Sequence, residues 1–359
     1  MKINVEPLDS HELKPLFSDP GQLGFGKVFT DRMFVVNHKQ GEGWSDPRIV
    51  RYGSFAMDPA AVVLHYSQEI FEGLKAYAAE DGRILLFRPE QNARRMNRSA
   101  ERMCMPTVPE EDFVQAVKEL AVLENRWIPR APGTSLYIRP TMIGTEAALG
   151  VHPSSEYIFY IILSPSGPYF KGGFKPVSLY VEENFVRAAA GGTGDAKTGG
   201  NYAASLLASA RAAEKGYAQI LWLDARERKY VEEVGAMNIV FVFRNKLVTP
   251  ALTGSILPGI TRASVLQLAC HLGYEVEERQ IGIDEVIQGL SDGTLTEAFG
   301  CGTAAVIAPV GSLFYKGTNH MINGNQVGKV SEELYNRLVD IQFGRAADPF
   351  GWVQEIGRL

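Results

Sequence analysis

Residues 188–202 read AAAGGTGDAKTGGNY: five glycines surround one lysine, Lys197, and a run of small residues with helical character, Ala203–Ala213, follows. Glycine lets backbone approach a ligand closely, because no Cβ stands in the way. Two chemistries use such a segment. A phosphate-cradling loop of the pattern GxxxxGK[ST] needs glycine directly before the lysine, and Ala196 stands there, so the pattern fails by one residue. A lysine in a tight turn can instead serve as an imine-forming amine, since loss of water lowers its pKa and yields the neutral nucleophile. A solvated loop lysine would have the same local sequence, so its neighbours must decide.

Downstream comes EEVGAMN (232–238), with Glu233 at the end of an expected strand. A carboxylate there suits a cationic ring nitrogen, as in pyridoxal phosphate, whose protonated ring draws electrons from a substrate carbon. An ordinary edge-strand glutamate remains the alternative. LPGITR (257–262) puts Pro258, Gly259 and Thr261 ahead of an expected helix, Ala263–Leu272, where amides and helix dipole suit an anion, or where Thr261 is simply an N-cap. FGCGTAA (299–305) offers glycine-flanked amides after a strand, for an anion or as a plain hairpin turn. In the first half, FEGLKAY (71–77) and YIRPT (137–141) set aromatics beside Lys75 and Arg139, whose fork suits a carboxylate. Arg94, Arg95 and Arg98 fit either a solvated helix face or a phosphate contact.

Around these motifs the periodicity predicts strands at 33–37, 84–87, 136–140 and 157–163 and helices at 91–102 and 110–125. The stretch 164–176, SPSGPYFKGGFKP, suits neither element and predicts a linker. Beyond it, strands at 177–182, 219–224, 230–233 and 238–243 mix with helices at 202–215, 263–272, 283–291 and 331–341. The expected fold is α+β in two domains: a small N-terminal domain (1–166), a linker (167–176) and a larger, mixed barrel-like C-terminal domain (177–359).

The 359-residue length also favours about two domains. Net charge is -5 and the basic residues are scattered, which argues against nucleic acid as a partner. No apolar run approaches the ~20 residues of a membrane helix, and the N-terminus reads as neither signal nor transit peptide, so the expected place is the cytoplasm. Cys104, Cys270 and Cys301 are far apart and odd in number, arguing for buried thiols rather than disulfides or a metal site.

Taken together, FEGLKAY, RRMNRSA, YIRPT, GDAKTGGNY, EEVGAMN, LPGITR and FGCGTAA, in this order, resemble the branched-chain amino-acid aminotransferases of fold type IV. The resemblance implies reversible ping-pong amino transfer between L-leucine, L-isoleucine or L-valine and 2-oxoglutarate, with pyridoxal 5'-phosphate as cofactor. It implies that Lys197 carries the cofactor and then shuttles a proton, that Tyr202 bonds the cofactor's phenolic oxygen and that Glu233 pairs with its ring nitrogen. Arg95, the Ile260 and Thr261 amides, and Thr303 would hold the phosphate. An apolar pocket would come from Phe25, Phe71, Tyr137 and Tyr202, with Tyr66, Leu149 and Val151 supplied by the partner of a homodimer. Thr303 and Ala304 would take the α-carboxylate, and Arg139 the distal carboxylate of glutamate. Ala236 stands where some relatives have threonine, and Ala305 and Ala308 stand where mammalian relatives carry a CxxC pair. D-amino-acid aminotransferases and aminodeoxychorismate lyases of the same fold type share the lysine and glutamate but lack the FEGLKAY and EVGAMN context.

Overall fold

The computed structural model describes residues 1–168 and 173–359, so part of the expected linker, 169–172, lies outside the described residues. By backbone contacts the chain forms two units: Met1–Lys171 with Ala196–Gly199 and Asp340–Leu359, and Gly172–Asp195 with Gly200–Val339.

The first unit contains β1 (Asn4–Val5), β2 (Arg32–Lys39), β3 (Gly43–Arg51), α1 (Val62–Tyr66), β4 (Glu69–Phe71), β5 (Leu74–Ala78), β6 (Arg83–Phe87), α2 (Pro89–Arg102), α3 (Glu110–Leu123), β7 (Ser135–Gly144) and β8 (Glu156–Ser166). In β8, Tyr157, Phe159, Ile161 and Leu163 are buried while the intervening residues are more accessible, the period-two pattern of a strand with one face on a core. Ala93, Met96 and Ala100 give α2 one buried stripe at helical spacing. These residues join Phe34, Phe113 and Trp127 in a single cluster.

The second unit contains β9 (Val177–Glu182), α4 (Gly199–Ala203, whose first residue belongs to the first unit), α5 (Leu206–Glu214), β10 (Gln219–Leu223), β11 (Val231–Val234), β12 (Met237–Phe243), β13 (Lys246–Pro250), α6 (Ile260–His271), β14 (Glu275–Arg279), α7 (Ile283–Asp292), β15 (Leu295–Gly302), β16 (Val306–Tyr315), β17 (Thr318–Met321) and α8 (Lys329–Gln342, which ends in the first unit). Its sheet runs β11-β10-β9-β16-β15-β12, and a further β11–β12 pairing closes these strands into a barrel. Pairing is parallel where β9 meets β10 and β16, and antiparallel around the rest of the ring. Closure removes the exposed edges that an open sheet would present. The fold is therefore the mixed α+β, barrel-containing type that the sequence predicts.

The chain's last strand, β18 (Val353–Arg358), pairs antiparallel with β6 and completes the first sheet in the order β1-β3-β2-β8-β7-β5-β6-β18, with β4 on β7. A division at one linker assigns these last residues to the second domain; their pairing puts them in the first unit.

Four local expectations need correction. The helix expected at 202–215 is two helices, because the Ser205 amide bonds the Tyr202 carbonyl and its hydroxyl takes the same oxygen at 2.7 Å, tightening the turn. Ser164–Ser166, assigned to the linker stretch, end β8; there only β7 pairs with the strand, so Pro165 costs no bond on its other side. β3 carries Pro47, which hides it from a strand pattern, and a register shift against β2 with Asp46 at φ 55° absorbs the proline. Of the three thiols expected to be buried, only Cys301 is; Cys104 and Cys270 are exposed. No helix among the described residues is long and apolar enough to cross a membrane.

Candidate active site

In the first unit, the peptide of Lys197 is fixed on both sides. Its amide donates to Ser99 Oγ on α2 at 2.9 Å, and its carbonyl accepts from the Phe71 amide at 3.0 Å. Thr198 adds a bond from its hydroxyl to the Glu69 carbonyl at 2.7 Å. A Cβ on Gly199 would come within 2.9 Å of the Glu69 carboxylate, so a larger residue there would displace that side chain. FEGLKAY and RRMNRSA therefore hold the lysine's backbone, while its Nζ lies 4.9 Å from the centre of the Phe71 ring.

Arg95, expected as a phosphate ligand, forms a two-pronged pair with Glu72: Nε to Oε1 at 2.7 Å and Nη2 to Oε2 at 2.8 Å. Asn92 Nδ2 donates to the same Oε2 at 2.7 Å. Burial alone would raise the Glu72 pKa, but the charge and fork of Arg95, the charge of Lys197 and the Asn92 bond outweigh it and hold the carboxyl below the usual range. A guanidinium has five N–H donors, so the pairing with Glu72 does not by itself exhaust Arg95.

Four of the expected substrate residues come together in this unit. Arg139 lies over the Phe71 ring at 4.7 Å and its Nη2 donates to the Tyr137 hydroxyl at 3.0 Å. Phe25 meets Tyr137 edge to face, with ring centres 4.8 Å apart. A Cβ on Gly73 would fall 2.1 Å from the Tyr137 hydroxyl oxygen, which explains the glycine of FEGLKAY. Tyr66, Leu149 and Val151 are exposed, and the Tyr66 hydroxyl bonds the Leu149 carbonyl. Leu149 is 65% and Val151 85% exposed.

In the second unit, the carboxylate of Glu233 is buried on β11. Its Oε1 accepts from the Leu257 amide at 2.9 Å and Asn238 Nδ2 at 3.2 Å, and Arg187 Nε lies 2.8 Å from Oε2. EEVGAMN and LPGITR thus pack as one structure. Gly259 completes it, since a Cβ there would sit 2.0 Å from Asn238 Oδ1. Gly259 is also the N-cap of α6 and supplies no side-chain cap; Thr261, considered as a cap, instead lies in the first turn beside Ile260. Thr303 and Ala304 occupy the turn between β15 and β16, and Val306 beyond it holds φ 62°, a strained value for a β-branched residue. Tyr202 lies in α4, and Asn201 beside it exchanges two bonds with Thr193, each 2.7 Å.

Sequence reasoning quoted the motifs yet passed over Glu72, Ser99 and Asn238 within them. Arg187 lies in no quoted motif; only its place shortly before the glycine-rich run could have drawn notice.

This donor set fits pyridoxal phosphate. A lysine on a fixed peptide suits an aldehyde, a buried and oriented carboxylate suits a ring N–H, and a helix start without a side-chain cap suits a phosphate. Comparison with known proteins agrees. Residues 69–313 match the family model for amino-transferase class IV. The chain is 54% identical over 357 residues to branched-chain-amino-acid aminotransferase 2 of Bacillus subtilis, covering 99% of this chain and 98% of that one. Among solved structures, the branched-chain amino acid aminotransferase from Escherichia coli superimposes with TM-score 0.73 at 26% identity, over 91% of this chain and 100% of that one. The PLP form of the Thermobaculum terrenum enzyme gives TM-score 0.75 at 26% identity, over 90% and 98%.

Proposed function

The chain belongs to the class IV amino-transferases, and among them to the branched-chain-amino-acid aminotransferases, and from that premise we propose how its residues divide the work. It transfers an amino group reversibly between L-leucine, L-isoleucine or L-valine and 2-oxoglutarate, with pyridoxal 5'-phosphate as cofactor. The observation that carries the reading is the 54% identity with the Bacillus subtilis enzyme over 99% of this chain.

Once bound, the cofactor supplies an aldehyde carbon to take up the amino group and a ring to accept electrons from the substrate α-carbon. Lys197 Nζ would hold the cofactor and would serve as the base that moves the proton at the substrate α-carbon. The hydrogen bonds of its backbone amide to Ser99 Oγ and of its carbonyl from the Phe71 amide keep the amine's origin fixed. Glu233 keeps the ring nitrogen protonated, and Tyr202 bonds the phenolic oxygen. Arg95, the Ile260 and Thr261 amides, and Thr303 hold the phosphate.

For the substrate, Thr303 and Ala304 take the α-carboxylate. Phe25, Phe71, Tyr137 and Tyr202 accept a branched side chain, while Arg139 accepts the distal carboxylate of glutamate. The arginine's position over Phe71 supports this dual use, since an aromatic face covers its apolar plane while its N–H edges stay suited to a carboxylate. The exposed Tyr66, Leu149 and Val151 become pocket residues of a second copy in a cytoplasmic homodimer.

The test is spectroscopic. L-leucine should bleach the visible band of the cofactor-loaded protein and 2-oxoglutarate should restore it, while Lys197→Ala should lack the band. Activity on D-alanine with none on L-leucine would assign the chain to the D-amino-acid enzymes of the same fold type.

A further inference from the structure

Arg187 sits at the centre of the second unit's polar cluster, with its guanidinium buried. Its Nε lies 2.8 Å from Glu233 Oε2, an ion-pair contact without an aligned hydrogen bond, and its Nη2 donates to the Gly194 carbonyl at 3.0 Å and to the Ser255 carbonyl. The three acceptors belong to three segments: β11, the glycine-rich approach to Lys197, and the loop that leads into α6. Gly194 gives an independent sign that this closure is built in. A Cβ there would lie 2.3 Å from the Ser255 carbonyl oxygen and 2.6 Å from Ala188 Cβ, so the approach can fold over the guanidinium only with glycine at that position. A rigid fork can serve divergent acceptors at once, whereas a lysine is a single point of charge.

We propose that Arg187 is a positioning residue for the cofactor, aligning Glu233 with the ring nitrogen and tying that carboxylate to the loop that delivers Lys197. The proposal rests on the reading of Glu233 given above. Leu257 and Asn238 bond Oε1 of the carboxylate, and the Arg187 charge lies against the other oxygen, so it favours the orientation in which Oε2 meets the guanidinium.

The experiment compares the cofactor-loaded wild type with Arg187→Met, Arg187→Lys and Gly194→Ala. In Arg187→Met, cofactor release into a competing apoenzyme should quicken about tenfold, in line with the loss of a group that orients a ligand. Its visible band should shift and kcat should fall, while KM for L-leucine changes less than twofold. Arg187→Lys should recover part of each effect. Gly194→Ala keeps the charge but forces the loop off Ser255, and should quicken release as well; it carries the test if Arg187→Met does not fold. Variants that melt earlier but keep the wild-type band, release rate and kcat would reduce Arg187 to a structural ion pair and overturn the proposal. If L-leucine failed to bleach the wild-type band, the amino-transfer reading would fall, while release rate and band position would still decide the role of Arg187.

Discussion

Glu72 in the first unit and Glu232 in the second are both buried, at 0% and 6% exposure, yet their surroundings push them in opposite directions. Glu72 receives the Arg95 fork and the Asn92 amide, and its carboxyl is held below the usual range. Glu232 receives only the Ser255 hydroxyl, on Oε1; its Oε2 has no partner among the described residues. Burial raises its pKa, and the Ser255 bond and the charge of Arg187 offset that only in part. Burial penalises either charge; the number and charge of donors decide which carboxylate keeps it. Arg187 spends its direct contact on Glu233, which leaves Glu232 with long-range attraction alone.

The largest way to break the contrast is Glu72→Ala. It strands the buried Arg95 charge, and losing one partner of such a pair costs about 3–5 kcal/mol. Urea unfolding of the apoprotein should show an unfolding free energy lower by that amount, read as a lower midpoint at unchanged slope. Replacing Glu72 and Arg95 together by apolar residues should recover much of the loss, because the paired charges also carry a large desolvation cost. If Glu72→Ala cost less than about 1 kcal/mol, the range of an exposed ion pair, the pair would contribute nothing beyond what such surface contacts do.

A gentler probe is acid. Because the folded pKa of Glu72 lies below its ordinary value of 4.5, the native state binds fewer protons there than the unfolded chain. Its stabilisation is complete above that ordinary value and is lost as pH falls through the folded one. Unfolding midpoints of wild type and Glu72→Gln should therefore differ most near neutrality and converge in acid. A gap that stayed constant down to low pH would mean that Glu72 does not titrate with folding.

The same contrast separates what sequence can and cannot convey. Runs such as Tyr157–Leu163 and Asn238–Phe243 announce strands because burial on a sheet demands apolar side chains. Lys197 and Glu233 drew notice only in company: each alone fits a solvated loop lysine or an edge-strand glutamate, and the order of the motifs along the chain is what singled them out. Glu72 was in view inside FEGLKAY but could not be weighed, since its role depends on Arg95, which a different element carries. Arg187 depends on three segments that meet only in the folded chain. β18 was illegible for a related reason: its partner, β6, lies near the other end of the sequence, and a half-exposed strand with Gly357 shows little apolar periodicity. Local chemistry is written in the chain, whereas pairing between distant elements is not.

The smallest effect sharpens the comparison most. Glu232 lies beside a cavity of about 480 Å³ whose lining includes Tyr230, Val231, Thr253, Ser255 and Ile256. Glu232→Gln keeps the shape and an oxygen for Ser255, and the cavity can hydrate the new amide, so the change in stability at neutral pH should be about 1 kcal/mol or less. Its sign is informative. A raised folded pKa means that the native state binds more protons than the unfolded chain just above 4.5, so the wild type loses stability as pH rises from that value through the folded pKa. Glutamine escapes that loss. Unfolding midpoints of Glu232→Gln should therefore gain on wild type as pH rises and then level off, the reverse of the Glu72→Gln profile. Parallel profiles for the two variants would mean that the Arg187 charge holds Glu232 ionised as firmly as the Arg95 fork holds Glu72, and that distance from a guanidinium matters less here than its presence.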